Sequence, residues 1–283
     1  MGDFEIDTRL TPVEGEPGRY RISLSEDWRI WGPNGGYLAG IALRAAGLEA
    51  RVRRPASFHA HFLSIARFDS VDVTVTPVRV GRRSESFRVT IEQTGKPILE
   101  ALVRTAAEVP GLSHDVAPMP EVPAPDGLRN VETLLRDFGR ADDSKHAFWQ
   151  NLERRPIDPE RLRSDEWKAG PPSLVEWYRF RPRDRFDDVF LDAARSLLLL
   201  DTLTWPAAAQ PHAPEPGFIA PNIDVTSWFH AAAPEEPWLL ADVEGPIAAG
   251  GLMGTRGRVF SASGQLLASG GAQLFCVPEP PSA

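Results

Sequence analysis

The chain has 283 residues, of which 42% are hydrophobic and 25% are charged, the composition of a globular protein with one large domain or two medium ones. Its formal net charge of −8 argues against broad nucleic-acid binding, which requires a basic surface, although a local basic cleft can still bind an anionic ligand. Because Cys276 is the only cysteine, the sequence excludes an internal disulfide and a thiolate metal cluster.

The N-terminus is acidic and lacks the basic-then-apolar profile of a signal peptide. No apolar run reaches the roughly 18 residues of a membrane-spanning helix. We therefore expect a cytoplasmic protein with neither a membrane nor a nucleic acid as partner.

The first half of the chain predicts one buried helix followed by strands. Residues 38–47 are small and apolar nearly all round, which is typical of a helix enclosed by other elements. Apolar and polar residues then alternate around residues 71–76 and 87–91, the pattern of half-buried strands. Residues 97–109 form the last predicted strand of this half.

A proline-rich stretch follows, with prolines at positions 110, 118, 120, 123 and 125. Proline has a fixed φ and no backbone donor, so this stretch continues neither a helix nor a central strand. We predict a linker over 110–130, between an N-terminal domain (1–109) and a C-terminal domain (131–283). Within 127–168, residues 132–140 favour a helix and residues 148–154 fit either a helix or a strand.

The second half predicts the same order of elements. A long apolar helix over 189–209 precedes strands over 219–230, 238–244, 257–261 and 266–277. His61 and Gly95 are 34 residues apart, and so are His230 and Gly264, so one offset of 169 aligns both landmarks. Each glycine lies between two strand-like runs, as in a hairpin turn. This internal repeat predicts an α+β tandem (double) hot-dog fold: two buried helices, each wrapped by an antiparallel β-sheet, with the two sheets side by side.

The order and spacing of several short motifs are similar to those of the acyl-CoA thioesterase II family, over nearly the whole chain. The motifs in the first half are Gly35-Gly36, Ser57-Phe58-His59 with Phe62-Leu63, and Gly95-Lys96-Pro97-Ile98. Those in the second half are Asp201, Gln210-Pro211-His212, Ile223-Asp224, Trp228-Phe229-His230, Trp238-Leu239-Leu240 and Gly264-Gln265-Leu266-Leu267-Ala268-Ser269. The resemblance implies an acyl-CoA substrate, thioester hydrolysis in fatty acid metabolism, and further association into a homo-oligomer.

The resemblance also implies a catalytic Asp, Thr and Gln that hold the attacking water. The Asp corresponds to Asp201, but Asn222 stands where the family has Thr. The Gln aligns with Ala272, with Gln273 one residue later, and such a shift turns a side chain to the other face of a strand. Either a bulge brings Gln273 to the site or this chain lacks the residue. Asp224 shares a face with Asn222 by strand periodicity and is a candidate substitute, although a structural salt bridge is its default interpretation.

Each candidate also has a plain structural interpretation. Asp201 follows four leucines, and a charge in so apolar a helix requires partners, which favours a site residue over a surface carboxylate. Asn222 is equally compatible with a polar residue that begins a strand, and Gln273 with an outward-facing strand side chain.

The candidates for substrate binding are Asn34, Gly35 and Gly36, because glycines before a buried helix allow close approach of a ligand. Tight packing of that helix end is an equally good interpretation. Arg82 and Arg83 are candidates for CoA phosphates, although such a group is more often a solvated hairpin. Neither His61 nor His230 has neighbours at the sequence spacing of metal ligands, so we expect no metal site. No cofactor is expected either.

The sequence disfavours one rival function and leaves another open. A hot-dog hydratase is expected to carry a His five residues after the helix Asp, but this chain has Pro206 there and no His in either predicted buried helix, which disfavours a hydratase. An acyl-CoA binding or sensing protein without catalysis fits the altered Thr position and the uncertain Gln.

Overall fold

The computed structural model describes residues 1–140, 146–162, 169–212 and 217–278. The helices in these ranges are α1 (Phe4–Asp7), α2 (Gly35–Glu49), α3 (Val131–Asp137), α4 (Val189–Thr202) and α5 (Thr204–Ala208). The strands of the first half are β1 (Thr11–Pro12), β2 (Arg19–Ser23), β3 (Pro55–Phe62), β4 (Ser70–Val80), β5 (Ser84–Gln93) and β6 (Lys96–Ala106). Those of the second half are β7 (Leu152–Pro156), β8 (Ser173–Phe180), β9 (Phe218–Ile219), β10 (Asp224–Phe229), β11 (Leu239–Ala249), β12 (Leu252–Ser261), β13 (Leu266–Gly271), β14 (Gln273–Phe275) and β15 (Val277–Pro278).

One antiparallel sheet runs through both halves of the described chain. Its strand order is β1-β2-β4-β5-β6-β3-β10-β13-β12-β11-β8-β7, with β14 paired to β12. The halves meet where β3 pairs with β10, in a register that sets Ala60 opposite Val225. On either side of this seam the equivalent strands follow in the same order. This arrangement confirms the prediction of two sheets joined side by side.

The two long helices pack against each other on the inner face of the sheet. Along α2, Gly36 faces Leu198, Gly40 faces Ala194, and Gly47 faces Phe190, so the helices run antiparallel. A Cβ on Gly36 would stand 2.8 Å from the Leu198 Cα, closer than two such atoms normally approach. The glycines of α2 therefore permit a close contact between the two helices, and the burial of α2 that the small-residue pattern predicted is confirmed.

The offset of 169 holds for strands but not for helices. It carries the bounds of β4 onto those of β11, whereas α2 and α4 differ by a smaller offset. The reason is an extra segment in the second half, between α4 and β10, that contains α5. The predicted hairpin glycines are confirmed, since Gly95 has φ 75° and Gly264 has φ 92°, values that L side chains avoid.

The helix predicted over 189–209 is wrong in its extent, because α4 ends at Thr202 and α5 begins at Thr204. Pro206 lacks an N–H and its ring clashes with the carbonyl four residues earlier, so a straight helix does not continue through it. The break leaves the Asp201 carbonyl without a helical partner and available to side chains.

Two predicted strands are also interrupted. The strand predicted over 219–230 is divided into β9 and β10, and that over 266–277 is divided into β13, β14 and β15. In the ambiguous stretch, residues 131–137 are helical, 147–151 form a 3₁₀ turn and 152–156 form a strand, while residues 141–145 and 163–168 lie outside the described residues.

The proline-rich stretch covers the outer face of the second half's sheet. Met119 and Val122 pack on a cluster that includes Trp177 and Trp238, and the Trp177 indole donates to the Pro123 carbonyl at 3.0 Å. This stretch is irregular in structure, as the prolines predict. Residues 119–123 nevertheless pack on the sheet of the second half. The domain boundaries stay a prediction.

Candidate active site

Asp201 lies near the C-terminal end of α4, at the point where this helix meets the N-terminus of α2. Its side chain is only 3% exposed. A Cβ built on Gly35 would stand 2.9 Å from Asp201 Oδ2 and 2.9 Å from the Phe62 ring. The carboxylate is therefore enclosed by the start of one buried helix, an aromatic ring from β3, and the end of the other helix.

Asn222 is the main hydrogen-bond partner of this carboxylate. Its Nδ2 donates to Asp201 Oδ1 at 2.7 Å and to the Asp201 backbone carbonyl at 2.8 Å. One amide group thus caps the broken end of α4 and holds the carboxylate. The structure brings these two predicted residues together.

A bulge turns Asn222 towards the helices. Thr226 lies opposite Gly271, and Asn222 lies opposite Leu274. Four residue steps from Asn222 to Thr226 therefore pair with only three steps from Gly271 to Leu274. The extra residue re-aims the side chain. The expectation that Asn222 and Asp224 share a face is therefore wrong: Asn222 reaches Asp201, whereas the Asp224 carboxylate accepts from the Gln273 N–H at 2.8 Å.

The environment of Asp201 favours its neutral form. Burial raises the pKa of Asp201 to about 7, although hydrogen bonds from the Asn222 side chain and the Gly36 N–H act to lower it. Around this carboxylate, α2 contributes Gly35 and Gly36, and β3 contributes the Phe62 ring. None of these groups titrates. The carboxyl group can therefore exchange a proton near neutral pH, as a general base must.

The N-terminus of α2 supplies backbone donors beside the carboxylate. Asn34 caps this helix, because its Oδ1 accepts from the Tyr37 N–H at 2.9 Å, and its Nδ2 donates to Thr202 Oγ1 at 3.1 Å. The Gly35 N–H has no hydrogen-bond partner in the described part of the chain. Such a free N–H at a helix N-terminus is suited to an oxyanion.

Gln273 does not join this group of residues. Its side chain makes no hydrogen bond to Asp201 or Asn222 across the described residues, and its backbone carbonyl accepts from Ile223. The register against β12 is the same at Gly270 and at Gln273, so the strand alternates normally through this stretch. Ala272, 6% exposed, is the residue that packs in the core.

Arg82 and Arg83 lie far from Asp201 within this chain. They are exposed residues of the β4–β5 hairpin, and the adjacent Glu85 accepts from the N–H groups of Arg51 and Val52 just beyond the C-terminus of α2. With its 15 residues, α2 is about 20 Å long at the usual helical rise. The hairpin and the carboxylate are thus at opposite ends of the helix.

Within the described ranges, no group of three or more His, Cys, Asp or Glu side chains is placed to hold a metal ion. No helix in those ranges is long and apolar enough to cross a membrane.

Comparison with known proteins identifies the family. The model of the acyl-CoA thioesterase N-terminal domain matches residues 24–106, and that of the C-terminal domain matches residues 115–277. The chain belongs to the acyl-CoA thioesterase II family. It is therefore a thioester hydrolase, and the resemblance that the motifs indicated is confirmed.

Relatives of this thioesterase agree in sequence and in fold. Human acyl-coenzyme A thioesterase 8 is 26% identical over 249 residues, which cover 82% of this chain and 76% of the human protein. A tesB protein from Mycobacterium avium subsp. paratuberculosis is 26% identical with a TM-score of 0.75, over 97% of this chain and 98% of that one. A hot-dog protein from Alicyclobacillus acidocaldarius has a TM-score of 0.79 at 20% identity, over 98% of each chain, which confirms the double hot-dog fold.

Sequence reasoning missed one buried side chain of this candidate site. Thr204 Oγ1 lies 2.9 Å from Asn222 Oδ1 and 2.7 Å from the Asp201 carbonyl. The available signal was Pro206, which marks the helix break that places Thr204 beside Asn222.

Proposed function

We propose that this acyl-CoA thioesterase hydrolyses its substrate with a water molecule activated by Asp201 and positioned with the help of Asn222. The observation that carries the proposal is a buried carboxyl group with a pKa of about 7, held by an amide donor 2.7 Å away and facing the open N-terminus of α2. A general base works best when its pKa lies near the working pH.

The proposed reaction places the thioester carbonyl at the Gly35 N–H. Water attacks the carbonyl carbon while its proton passes to Asp201, and the Gly35 N–H stabilises the developing oxyanion. The carbon–sulfur bond then breaks, and the CoA sulfur leaves with the proton that Asp201 received. The products are the free acid and CoA thiol, and Asp201 returns to its ionised state.

Gln273 has no assigned step in this proposal, because its side chain contacts neither Asp201 nor Asn222. Arg82 and Arg83 are proposed only as contacts for the anionic CoA phosphates. Their replacement by serine should raise KM without changing kcat, and more so at low ionic strength. An unchanged KM at low salt would remove them from the proposal.

The test is Asp201→Asn, assayed by release of free CoA thiol from a panel of acyl-CoAs. The change keeps the size of the side chain and removes the base, so kcat should fall by at least about 10²-fold. Circular dichroism and substrate binding by calorimetry should be close to those of the wild type. Hydrolysis at an unchanged rate by this variant would show that Asp201 is structural.

The sequence left one alternative, acyl-CoA binding or sensing without hydrolysis, and membership of a thioesterase family argues against it. Two measurements on the wild-type protein distinguish this alternative from hydrolysis: binding by calorimetry and thiol release, both with the same acyl-CoA. Binding without any thiol release over the panel would favour a sensor and contradict the proposed mechanism.

A further inference from the structure

Thr204 is the first residue of α5 and is almost completely buried, with 1% exposure. Its hydroxyl lies within hydrogen-bond distance of two acceptors, Asn222 Oδ1 and the Asp201 carbonyl. A hydroxyl has one proton to donate. The Asp201 carbonyl already accepts from Asn222 Nδ2 at 2.8 Å, whereas Asn222 Oδ1 has no other donor among the described residues.

The orientation of the Asn222 amide determines whether its Nδ2 or its Oδ1 faces the Asp201 carboxylate. With Nδ2 towards the carboxylate, the amide donates to it. If the amide were flipped, Oδ1 would face the carboxylate, and two acceptors would repel each other. A donor at the Oδ1 end holds the amide in its productive orientation. It also polarises the amide and so strengthens its N–H groups as donors.

We infer that Thr204 is a positioning residue for hydrolysis, which acts on Asp201 through the Asn222 amide. A series of hydrogen bonds thus runs from the buried Thr204 hydroxyl through the Asn222 amide to the Asp201 carboxylate. Asn222 is the residue that stands where the family has Thr. No hydrogen bond joins Thr204 to the Asp201 carboxylate or to the α2 N-terminus in the described structure. This inference rests on the proposed function of Asp201, because it concerns how that carboxylate is held.

The groups that face Asp201 come from four places. They are Gly35 and Gly36 of α2, the Phe62 ring, the Asn222 amide and Thr204. None of them titrates. The nearest titratable side chain along the strand is Asp224, whose carboxylate is bound to the Gln273 N–H. Substitution of Thr204 therefore alters no charged group around Asp201, and a change in the titration of Asp201 reports on the hydrogen bonds of the Thr204 hydroxyl.

The experiment compares Thr204→Val with Thr204→Ser. Valine keeps the shape and removes the proton donor, so the Asn222 amide holds the carboxylate less firmly. We expect kcat to fall about tenfold and the acid limb of the pH–rate profile to move to higher pH, because a weaker amide hydrogen bond lowers the pKa of Asp201 less. Thr204→Ser keeps the hydroxyl and should restore both kcat and the position of the limb.

Thr105→Val is the matched control. Thr105 is also fully buried, and its hydroxyl has no hydrogen-bond partner in the described structure. It lies opposite Glu85 in the sheet, at the end remote from Asp201. Its substitution should leave the rate and the pH profile unchanged.

An NMR titration of the Asp201 carboxyl carbon in the free protein separates this inference from the proposed function. A raised titration midpoint in folded Thr204→Val supports the action of Thr204 on the carboxylate independently of turnover, whereas full activity in Asp201→Asn would contradict the proposed function, so the two failures are distinguished. An unchanged midpoint and pH–rate profile in folded Thr204→Val would overturn it. If Thr204→Val does not fold, Thr204→Ala takes its place in the comparison with Thr204→Ser. The titration midpoint and the pH–rate profile then decide in the same way.

Discussion

The Asp201 carboxylate lies so close to Gly35 that a Cβ atom at that position would stand 2.9 Å from Oδ2. The same atom would stand 2.9 Å from the Phe62 ring. Carbon atoms rarely approach this closely without displacement of one partner. A side chain at position 35 would therefore displace the Asp201 carboxylate or the Phe62 ring, and this close approach motivates the first prediction.

Gly35→Ala should displace Asp201 or Phe62 and reduce kcat by about 10²-fold, the scale that misplacement by an ångström produces. The protein should remain folded, at a cost in the free energy of unfolding of about 1–3 kcal/mol. Thiol-release kinetics and urea denaturation measure the two effects.

Gly127→Ala is the control, because a Cβ at Gly127 meets no heavy atom within 4 Å. It should alter neither activity nor stability appreciably. Wild-type activity in Gly35→Ala would mean that the substrate does not use this face of Asp201.

The pH dependence of hydrolysis follows from the ionisation of Asp201. A general base must be ionised, and burial raises the pKa of this carboxyl to about 7. The value of kcat/KM should therefore rise with pH and level off above an inflection near neutrality. A profile that is flat from about pH 5 to pH 8 would exclude Asp201 as the base.

The same pKa shift has a consequence for stability. Because the pKa of Asp201 is higher in the folded state than its ordinary 3.8, the folded protein binds the proton more tightly than the unfolded chain. The free energy of unfolding therefore decreases as pH rises towards 7. Asp201→Asn lacks this loss, so between about pH 5 and pH 8 its stability relative to the wild type should increase by roughly 3 kcal/mol.

Urea denaturation of both proteins at the two pH values measures this difference, and other titrating groups cancel in the comparison. A relative stability that does not change with pH would mean that the carboxyl titrates normally in the folded protein.

Sequence patterns predicted much of the fold because they report on local conformation and burial. The small apolar residues of α2 and the hairpin glycines Gly95 and Gly264 have direct local causes. The break between α4 and α5 was also visible at Pro206, but the run of leucines before it favoured one continuous helix. The offset of 169 was correct for strands and misleading for helices, since an inserted segment adds to one loop only.

The site was predicted less completely, because its geometry depends on pairing between distant strands. The position of Asp201 followed from a charge in an apolar helix. The bulge that turns Asn222 inward depends on the register against residues about 50 positions later and leaves no local signal. Thr204 was missed for a similar reason, since its partner belongs to another segment.

Gln273 provides a prediction in which little change is expected. Its side chain makes no hydrogen bond to Asp201 or Asn222 in the described structure, and Ala272 occupies the buried position. Gln273→Ala should therefore leave kcat close to the wild-type value. A loss of about 10²-fold, the scale of a missing catalytic group, would place the amide in the site during catalysis.

The last prediction concerns the residue at which this chain departs from its family. In Asn222→Leu the carboxylate loses its side-chain donor and the Thr204 hydroxyl loses its side-chain acceptor, so kcat should fall by at least about 10²-fold. In Asn222→Thr a hydroxyl replaces the amide but ends one bond nearer the backbone, so it reaches Asp201 through a water molecule. Bridging water is nearly as effective as a direct hydrogen bond, so this variant should retain kcat within about tenfold of the wild type.

Thiol release and acyl-CoA binding, measured on the wild type and both variants, check this prediction. Equal losses in Asn222→Thr and Asn222→Leu would mean that the site requires the amide itself, with its two ends bound to Thr204 and Asp201. Full activity in Asn222→Leu would mean that Asp201 activates water without help from this strand. In either case the calorimetric affinity shows whether the substrate still binds, because a polar contact made only in the transition state affects kcat and not binding.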